Sequence, residues 1–541
     1  MKVIIVGGVA GGASCAARLR RLDESAQIIV FEKSGFVSYA NCGLPYYVGG
    51  TIAEKSALTL QTPASFRARF NVDVRVRHEV VAIDRARKAV TVRDLESGRE
   101  FEERYDKLVL SPGARPVVPP LPGIEGKNIF TLRTVEDALR IREFVDAARP
   151  ASATVVGGGF IGLEMAENLA ERGAKVTIVE KMEQLLSPLD ADMAAFVHAK
   201  FRAEGLSLRL GCAVTGFEEK DGQVVTNVDV GPAIAAEMVI LAIGVSPDSG
   251  LAKTAGLDVG ARGSILVDKH MRTSDADIYA VGDAVQVENG VTHQAALIAL
   301  AGPANKQGRI AADNIAGLDS SYRASWGSSV VKLFDMTAAA TGLNERAAKA
   351  ANLRYGKVVL SPASHASYYP GGKAMTMKVL YEKGTLRLLG AQIVGFDGVD
   401  KRIDVLATAM QAGMNAIALK DLDLAYAPPY SSAKDPVNMA GFMIENLETG
   451  KVKQFHYEDI DHLPKNITRL DVRTPREYAG GCADGFVNIP VDELRGRLSE
   501  IDPGKPVYVM CQSALRSYIA CRILAQHGYD CYNFSGGYRF Y

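Results

Sequence analysis

The sequence predicts an α/β protein of several domains, and three observations carry that reading. A strand, a glycine-rich turn, a helix and a second strand occur twice, about 150 residues apart, each copy of the length of one βαβ crossover. From Trp326 to Ile444 strands and helices mix in α+β fashion, with a turn at Pro428-Pro429. About eighty residues at the C-terminal end then form a separate α/β block, with strands at Thr468–Val472 and Val507–Met510 and a helix after Cys511. At 541 residues the chain is long enough for three or four cores.

Composition narrows the class. Hydrophobic residues at 48% and charged residues at 23% are the balance of a folded globular chain. Lys plus Arg equals Asp plus Glu at 62 each, so no global field gathers nucleic acid or a membrane surface, and partners are expected in local pockets. The apolar run from Lys2 to Ala17 holds four glycines in a turn pattern and leads into Arg18, Arg20 and Arg21 without a cleavage site. A buried strand and turn explain it better than a signal peptide. No run of eighteen apolar residues predicts a membrane span. Seven cysteines, odd in number, scattered and without a CxxC pair, predict neither a disulfide framework nor a zinc site. Reduced thiols in a cytoplasmic setting, with no resident metal, are expected.

The first repeat runs from the strand Lys2–Val6 through Gly7-Gly8-Val9-Ala10-Gly11-Gly12 and a helix to Leu22, then a strand Gln27–Phe31 ending at Glu32 and Lys33. The second runs from Ala153–Val156 through Gly157-Gly158-Gly159-Phe160-Ile161-Gly162, a helix to Arg172, and Lys175–Val179 ending at Glu180. In a Rossmann turn the first glycine permits the bend, the second lets backbone approach a pyrophosphate, and the third lets the helix pack close. Gly157, Gly159 and Gly162 meet all three needs; in the first repeat Val9 stands where the second glycine belongs. Glu32 and Glu180 are placed to accept hydrogen bonds from ribose hydroxyls. Glu180 opposes a 2′-phosphate, favouring NADH, while the neighbouring Lys181 leaves NADPH open.

Leu108–Pro112 with Gly113-Ala114-Arg115, and Thr273 to Asp283 ending in Gly282-Asp283, are strands closing in small-residue turns. Both resemble the accessory flavin motifs of the pyridine nucleotide-disulfide reductase superfamily, a resemblance that covers about residues 1–445. It implies FAD on the first repeat, with Asp283 at the ribityl chain, and a nicotinamide dinucleotide on the second.

Cys42 lies in Ser38-Tyr39-Ala40-Asn41-Cys42-Gly43-Leu44-Pro45-Tyr46-Tyr47, directly after the first repeat. Glutathione-reductase relatives carry a second cysteine five positions on, where this chain has Tyr47, so a single redox thiol is expected. A thiolate can attack a disulfide or persulfide and hold the mixed disulfide. Its ionisation is expected to draw on a helix start or nearby cations. The NCGLPYY wording resembles coenzyme A-disulfide reductases, as do Ser367-Tyr368-Tyr369-Pro370-Gly371, Lys401-Arg402-Ile403-Asp404-Val405 and Ala425-Tyr426-Ala427-Pro428-Pro429-Tyr430-Ser431. That resemblance implies a homodimer in which the tyrosines matching Tyr368 and Tyr426 reach the other subunit's cysteine. It also implies a coenzyme A site at Ser14, Arg18, Arg21, Ser38, Asn41, Arg69 and Lys434. Asn305 stands where relatives carry histidine.

Cys511-Gln512-Ser513-Ala514-Leu515-Arg516 follows a strand and opens a helix. Such a loop wraps N–H groups around an anionic sulfur, with Arg516 adding positive potential. CxxxxR is the rhodanese size, one residue shorter than the loop of cysteine phosphatases. Leu470-Asp471-Val472-Arg473-Thr474-Pro475-Arg476-Glu477-Tyr478 and Gly485-Phe486-Val487-Asn488-Ile489-Pro490 also resemble rhodaneses, although Cys482 stands where Gly-His is usual.

The expected organisation is a discontinuous FAD domain (1–112 and 251–322), an NAD(P)H domain (113–250), a dimerisation domain (323–445), a linker (446–463) and a rhodanese domain (464–541). The expected activity is reduction of a CoA persulfide, polysulfide or CoA disulfide at Cys42, coupled to sulfur carriage on Cys511. The alternatives are an NADH oxidase or peroxidase cycling through a sulfenic acid, and a sulfur-relay protein without turnover.

Overall fold

A computed structural model describes residues 1–541, leaving aside the side chain of Ala261. It divides into two compact units, Met1–Ser187 with His198–Gly327, and Pro188–Val197 with Ser328–Tyr541.

The first unit holds two five-stranded parallel sheets. One has the order Ile278–Ala280, Lys107–Leu110, Lys2–Val6, Gln27–Glu32, Asp73–Val76; the other Ser207–Leu210, Lys175–Glu180, Ser152–Val156, Met238–Leu241, Ile129–Phe130. Their central strands, KVIIV and SATVV, are rich in β-branched residues with no exposed residue and most side chains buried, as parallel strands covered on both faces require. Val3, Ile4 and Ile5 have no exposed surface, and each such side chain contributes about 1.5–3 kcal/mol by leaving water. In each sheet the glycine turn leads from the central strand into a helix, Ala10–Arg20 or Phe160–Glu171. Both helices end one or two residues before the expected stops.

In the second unit five antiparallel strands are ordered Ser329–Leu333, Met336–Gly342, Leu388–Gly395, Met375–Glu382, Tyr355–Leu360, with helices Val399–Gln411 and Pro436–Glu448. Lys378, on the Met375–Glu382 strand, is fully buried. Its ammonium lies 3.0 Å from Asp190 and 2.9 Å from Asp192, and also pairs with Glu345. Three carboxylates near enough to share a cation are thus bridged by one lysine ammonium. The same unit contains a parallel sheet ordered Lys453–Phe455, Cys531–Phe534, Val507–Met510, Thr468–Asp471, Val487–Asn488.

The last sheet corrects the expected linker at 446–463. Residues Lys453–Phe455 pair with Tyr532–Phe534 as its edge strand, and Phe455 stacks on Phe534 with ring centres 5.0 Å apart. Helix Pro436–Glu448 also runs past the expected boundary. The segment is polar because an edge strand buries few of its residues, and Phe455 alone of its three is buried. Among the described residues no helix is long and apolar enough to cross a membrane.

Candidate functional site

The two glycine turns are built alike. Gly7 and Gly157 stand at φ +94° and +112°, where a β-carbon would also strike the carbonyls of Ser111 and Ala242. A β-carbon on Gly12 or Gly162 would strike the carbonyl of Gly7 or Gly157, so the third glycine lets each helix return against its turn. Nothing lies within 4 Å of where a β-carbon on Gly159 would sit, which leaves room for a diphosphate at the start of Phe160–Glu171. At the first turn Val9 caps the helix with no side-chain hydrogen bond, and Ala10 and Gly11 follow as its first residues. Glu32 accepts from the N–H groups of Gly8 and Ser34, both at 2.8 Å, and Glu180 from Gly158 at 2.6 Å and Met182 at 2.7 Å. Each glutamate therefore clamps its own glycine turn, and its remaining lone pairs can meet a ribose. Lys33 points elsewhere, to Asp248 at 3.3 Å.

Asp283 follows the turn at Gly282, and burial pushes its carboxyl up against the pull of Arg133. Arg133 is a junction that the sequence did not disclose. Its guanidinium lies 3.8 Å from the Asp283 carboxylate and donates to the Ala114 carbonyl at 2.7 Å and to Asn41 at 3.1 Å. A β-carbon on Gly113 would come within 2.6 Å of it. The residues present fit a dinucleotide on each turn: a bend without β-carbons, an uncapped helix start and a strand-end carboxylate.

Cys42 sits in the short 3-10 turn Asn41–Gly43, just before helix Leu44–Gly49, and its side chain is exposed. Of the expected sources of ionisation, a helix start follows at Leu44 and Arg133 is a nearby cation, but the thiol is still pushed up overall. The protein behind the sulfur withdraws it partly from water, and the charges of Glu164 and Asp283 add to that, so the thiol is pushed up; Arg133 alone pulls it down. Glu164 lies on the helix that follows the second glycine turn, and its carboxyl is pushed up to about 7, by burial first and then by Glu167. The Tyr46 hydroxyl donates to Glu164 at 3.3 Å.

The residues expected to meet coenzyme A divide. Ser14 donates to Asn305 at 2.5 Å, and Ser38, at φ +48°, donates its N–H to Gly8 at 2.8 Å. Arg21 and Arg69 are exposed, and so is Lys434 in the second unit. Arg18 departs from the expected free cation: its guanidinium is bound by Asp313 at 2.7 Å. The reason is close packing, since Gly11 and Gly308 bring helices Ala10–Arg20 and Ala301–Ile315 together. In the second unit the hydroxyls of Tyr368 and Tyr426 meet at 2.5 Å on an exposed surface, and that bond pushes the Tyr426 hydroxyl up.

Around Cys511 the chain forms a tight loop. Ala514 takes φ +68°, and a β-carbon on Gly537 would lie 2.6 Å from the Cys511 carbonyl and 2.7 Å from the Ser513 nitrogen. The sulfur is buried, and the Ser517 hydroxyl donates to it at 3.2 Å. Arg516 makes two hydrogen bonds of 2.7 Å to Glu477, so its fork is held by a carboxylate while its charge still acts on Cys511. Arg473, fully buried, donates to Asp471 and to the Gly481 carbonyl, and stacks 3.9 Å over Tyr538. Cys482, next to Gly481, is exposed. Ser517 carries no sequence signal apart from its place one turn into the helix.

Two nucleotide turns on parallel sheets, an exposed thiol beside titratable groups, and a second cysteine in an N–H-rich loop define a dinucleotide-dependent thiol oxidoreductase joined to a sulfur-handling domain. The profile of the family "Pyridine nucleotide-disulphide oxidoreductase" matches residues 1–308, that of its dimerisation domain residues 328–436, and that of the "Rhodanese-like domain" residues 458–540. The chain belongs to the pyridine nucleotide-disulphide oxidoreductase family and carries a C-terminal rhodanese domain. It is 35% identical to the coenzyme A disulfide reductase of Staphylococcus aureus over 82% of this chain and 99% of that protein. The crystal structure of reduced Bacillus anthracis CoADR-RHD is similar over 100% of this chain and 97% of that one, with TM-score 0.97 and 47% identity. An NAD-dependent persulfide reductase from A. fulgidus is similar over the full length of both chains, with TM-score 0.95 and 39% identity. A water-forming NADH oxidase from Lactobacillus brevis covers 83% of this chain and 99% of its own, with TM-score 0.80 and 28% identity.

Proposed function

We propose that this chain is an FAD-containing, NADH-dependent reductase of CoA persulfide or CoA disulfide, with its rhodanese domain as a carrier of sulfane sulfur. One observation carries the reading: an exposed thiol, Cys42, follows the first glycine turn and feels the charge of Glu164 on the helix behind the second. FAD would be held by the turn Gly7–Gly12, Glu32 and Asp283, and NADH by Gly157, Gly159, Gly162 and Glu180. Bound flavin supplies two-electron transfer between reduced nicotinamide and sulfur.

The protein's own residues do the rest. The Cys42 thiolate attacks the outer sulfur of a CoA persulfide, forming Cys42–S–SH, or one sulfur of CoA disulfide, forming Cys42–S–S–CoA, and in either case the old S–S bond breaks and expels CoA thiolate. Arg133 orients Asn41 beside it and offsets the negative charge of Asp283. In a homodimer, Tyr368 of the partner subunit and Tyr426 of the partner subunit would donate hydrogen bonds to the expelled CoA thiolate. Arg21, Arg69 and Lys434 are exposed cations for the CoA phosphates, whereas Arg18 is already neutralised by Asp313. Cys511 would receive sulfane sulfur in its loop and pass it to CoA.

The test is anaerobic NADH oxidation with CoA persulfide and, separately, CoA disulfide, measuring sulfide release. Turnover is expected, lost in Cys42→Ser and retained for CoA disulfide in Cys511→Ser, and the faster of the two substrates decides between persulfide reductase and CoA-disulfide reductase. Full activity of Cys42→Ser would sink the proposal. Similarity to the water-forming NADH oxidase supports an oxidase as the second reading, and rapid NADH-dependent oxygen consumption without added thiol would favour it.

A further inference from the structure

Resting on that reading, we propose that Cys42, Tyr46 and Glu164 hold a single proton between them, kept on Glu164 while Cys42 is a thiolate and returned through Tyr46 to the sulfur that Cys42 expels. Cys42 lies in the 3-10 turn Asn41–Gly43 and Tyr46 in the helix Leu44–Gly49 that directly follows it, close enough for the charge of Cys42 to act on the Tyr46 hydroxyl. From the opposing helix Phe160–Glu171, Glu164 accepts the Tyr46 hydroxyl at 3.3 Å. Tyr46 feels the charges of Glu164, Glu167 and Cys42 together, and burial with these charges pushes its hydroxyl up, so it remains a neutral O–H able to pass a proton. The groups that face the set are Glu167 on the same helix as Glu164, Asp283 behind Cys42, and Arg133 as the opposing cation.

Electrostatics explains why the proton is shared. A Cys42 thiolate and a Glu164 carboxylate repel each other in a half-buried site, and burial holds Glu164 near neutral pH. Ionising Cys42 therefore favours a protonated Glu164. Protonating Glu164 removes one of the two charges that push the thiol up. When the thiolate attacks R–S–S–R′, a Cys42–S–S–R bond forms and the S–S bond to R′ breaks, expelling R′–S⁻. Tyr46 gives its proton to R′–S⁻ and takes one from Glu164, leaving R′–SH, neutral Tyr46 and a Glu164 carboxylate. No electrons enter or leave in this step. Glu164 acts through Tyr46 as a positioning and proton-storing residue.

Leaving-group chemistry separates this from a structural role. Alkyl thiolates are basic and need a proton on departure, whereas activated aromatic thiolates leave without one. Reduced holoenzyme is mixed with hydroxyethyl disulfide or an activated aromatic disulfide, and thiol release is followed from about pH 5.5 to 9. With the alkyl disulfide a bell-shaped profile is expected. Glu164→Gln and Tyr46→Phe should lose the descending limb and about tenfold of the maximum, within the range of a general acid. Glu164→Asp should restore part of both, and with the aromatic disulfide both variants should stay within about twofold. A descending limb that survives in Glu164→Gln, or equal slowing with both disulfides, overturns the proposal. Wild-type enzyme that shows the bell with the alkyl disulfide but does not turn over CoA persulfide or CoA disulfide overturns the substrate reading alone.

Discussion

The Ser517 hydroxyl donates to the Cys511 sulfur at 3.2 Å, one helical turn below the loop that presents it, and both side chains are buried. A donor aimed at a buried sulfur stabilises the anion over the thiol, because hydrogen bonds to charged groups are the stronger ones. Ser517→Ala should slow transfer of sulfane sulfur from thiosulfate to cyanide about tenfold, equivalent to about 1.4 kcal/mol, and leave CoA-disulfide reduction unchanged. Steady-state kinetics of the two reactions on one preparation checks this.

Arg516 and Glu477 tie the helix behind Cys511 to the short helix Pro475–Ala479. The double hydrogen bond from Arg516 is the main cause that holds the Glu477 carboxyl down to about 2. A lowered carboxyl stabilises the fold above its unfolded value of about 4.3, and that contribution disappears as pH falls towards about 2. The pair is about one-third exposed, so its worth is about 1 kcal/mol or less. Glu477→Gln should speed amide hydrogen exchange along Leu515–Gln526 at pH 7 by a few-fold. At pH 3 the difference from wild type should shrink.

Lys378 is the most consequential buried charge in the second unit. Glu345 is held down to about 2 against its burial, by Lys378 first and Lys357 next. Lys378→Met leaves Asp190 and Asp192 without this cation and Glu345 with Lys357 alone, a change of about 3–5 kcal/mol. Thermal unfolding should show a large loss of Tm at pH 7 and a smaller one at pH 5, where the stranded carboxylates can take up protons. An equal loss at both pH values would mean that packing, not charge, is the cause.

Glu180 accepts the N–H of Gly158 in the glycine turn and that of Met182 beyond its own strand, and in the proposed NADH site its carboxylate would oppose a 2′-phosphate. Wild-type enzyme should therefore prefer NADH. Glu180→Ala should raise kcat/KM for NADPH about tenfold relative to NADH, and lower the absolute rate with both because the turn loses its clamp. Initial rates with each nucleotide decide it.

Much of this site was legible because its chemistry is local. Gly7, Gly12, Gly157 and Gly162 appear in sequence as turns without side chains, and the backbone around them leaves no room for a β-carbon. Glu32 and Glu180 were legible as strand-end carboxylates, although not as clamps on their own glycine turns. The polar composition of 446–463 misled because an edge strand of three residues needs only Phe455 in the core.

What the sequence by itself determined is the repeated strand–turn–helix grammar, the single cysteine at position 42 and the cysteine loop at 511, since spacing and residue type along one segment suffice for each. Only the tertiary structure decided which charges face those sulfurs. Glu164 is 122 positions from Cys42, Asp313 is 295 from Arg18, and Glu477 is 39 from Arg516. Such pairs are set by how helices and sheets pack, and electrostatic energy depends on distance in space and on burial. The thiol that sequence expected to be lowered by a helix start or cations is for that reason raised, by burial first and then by Glu164 and Asp283, against the pull of Arg133.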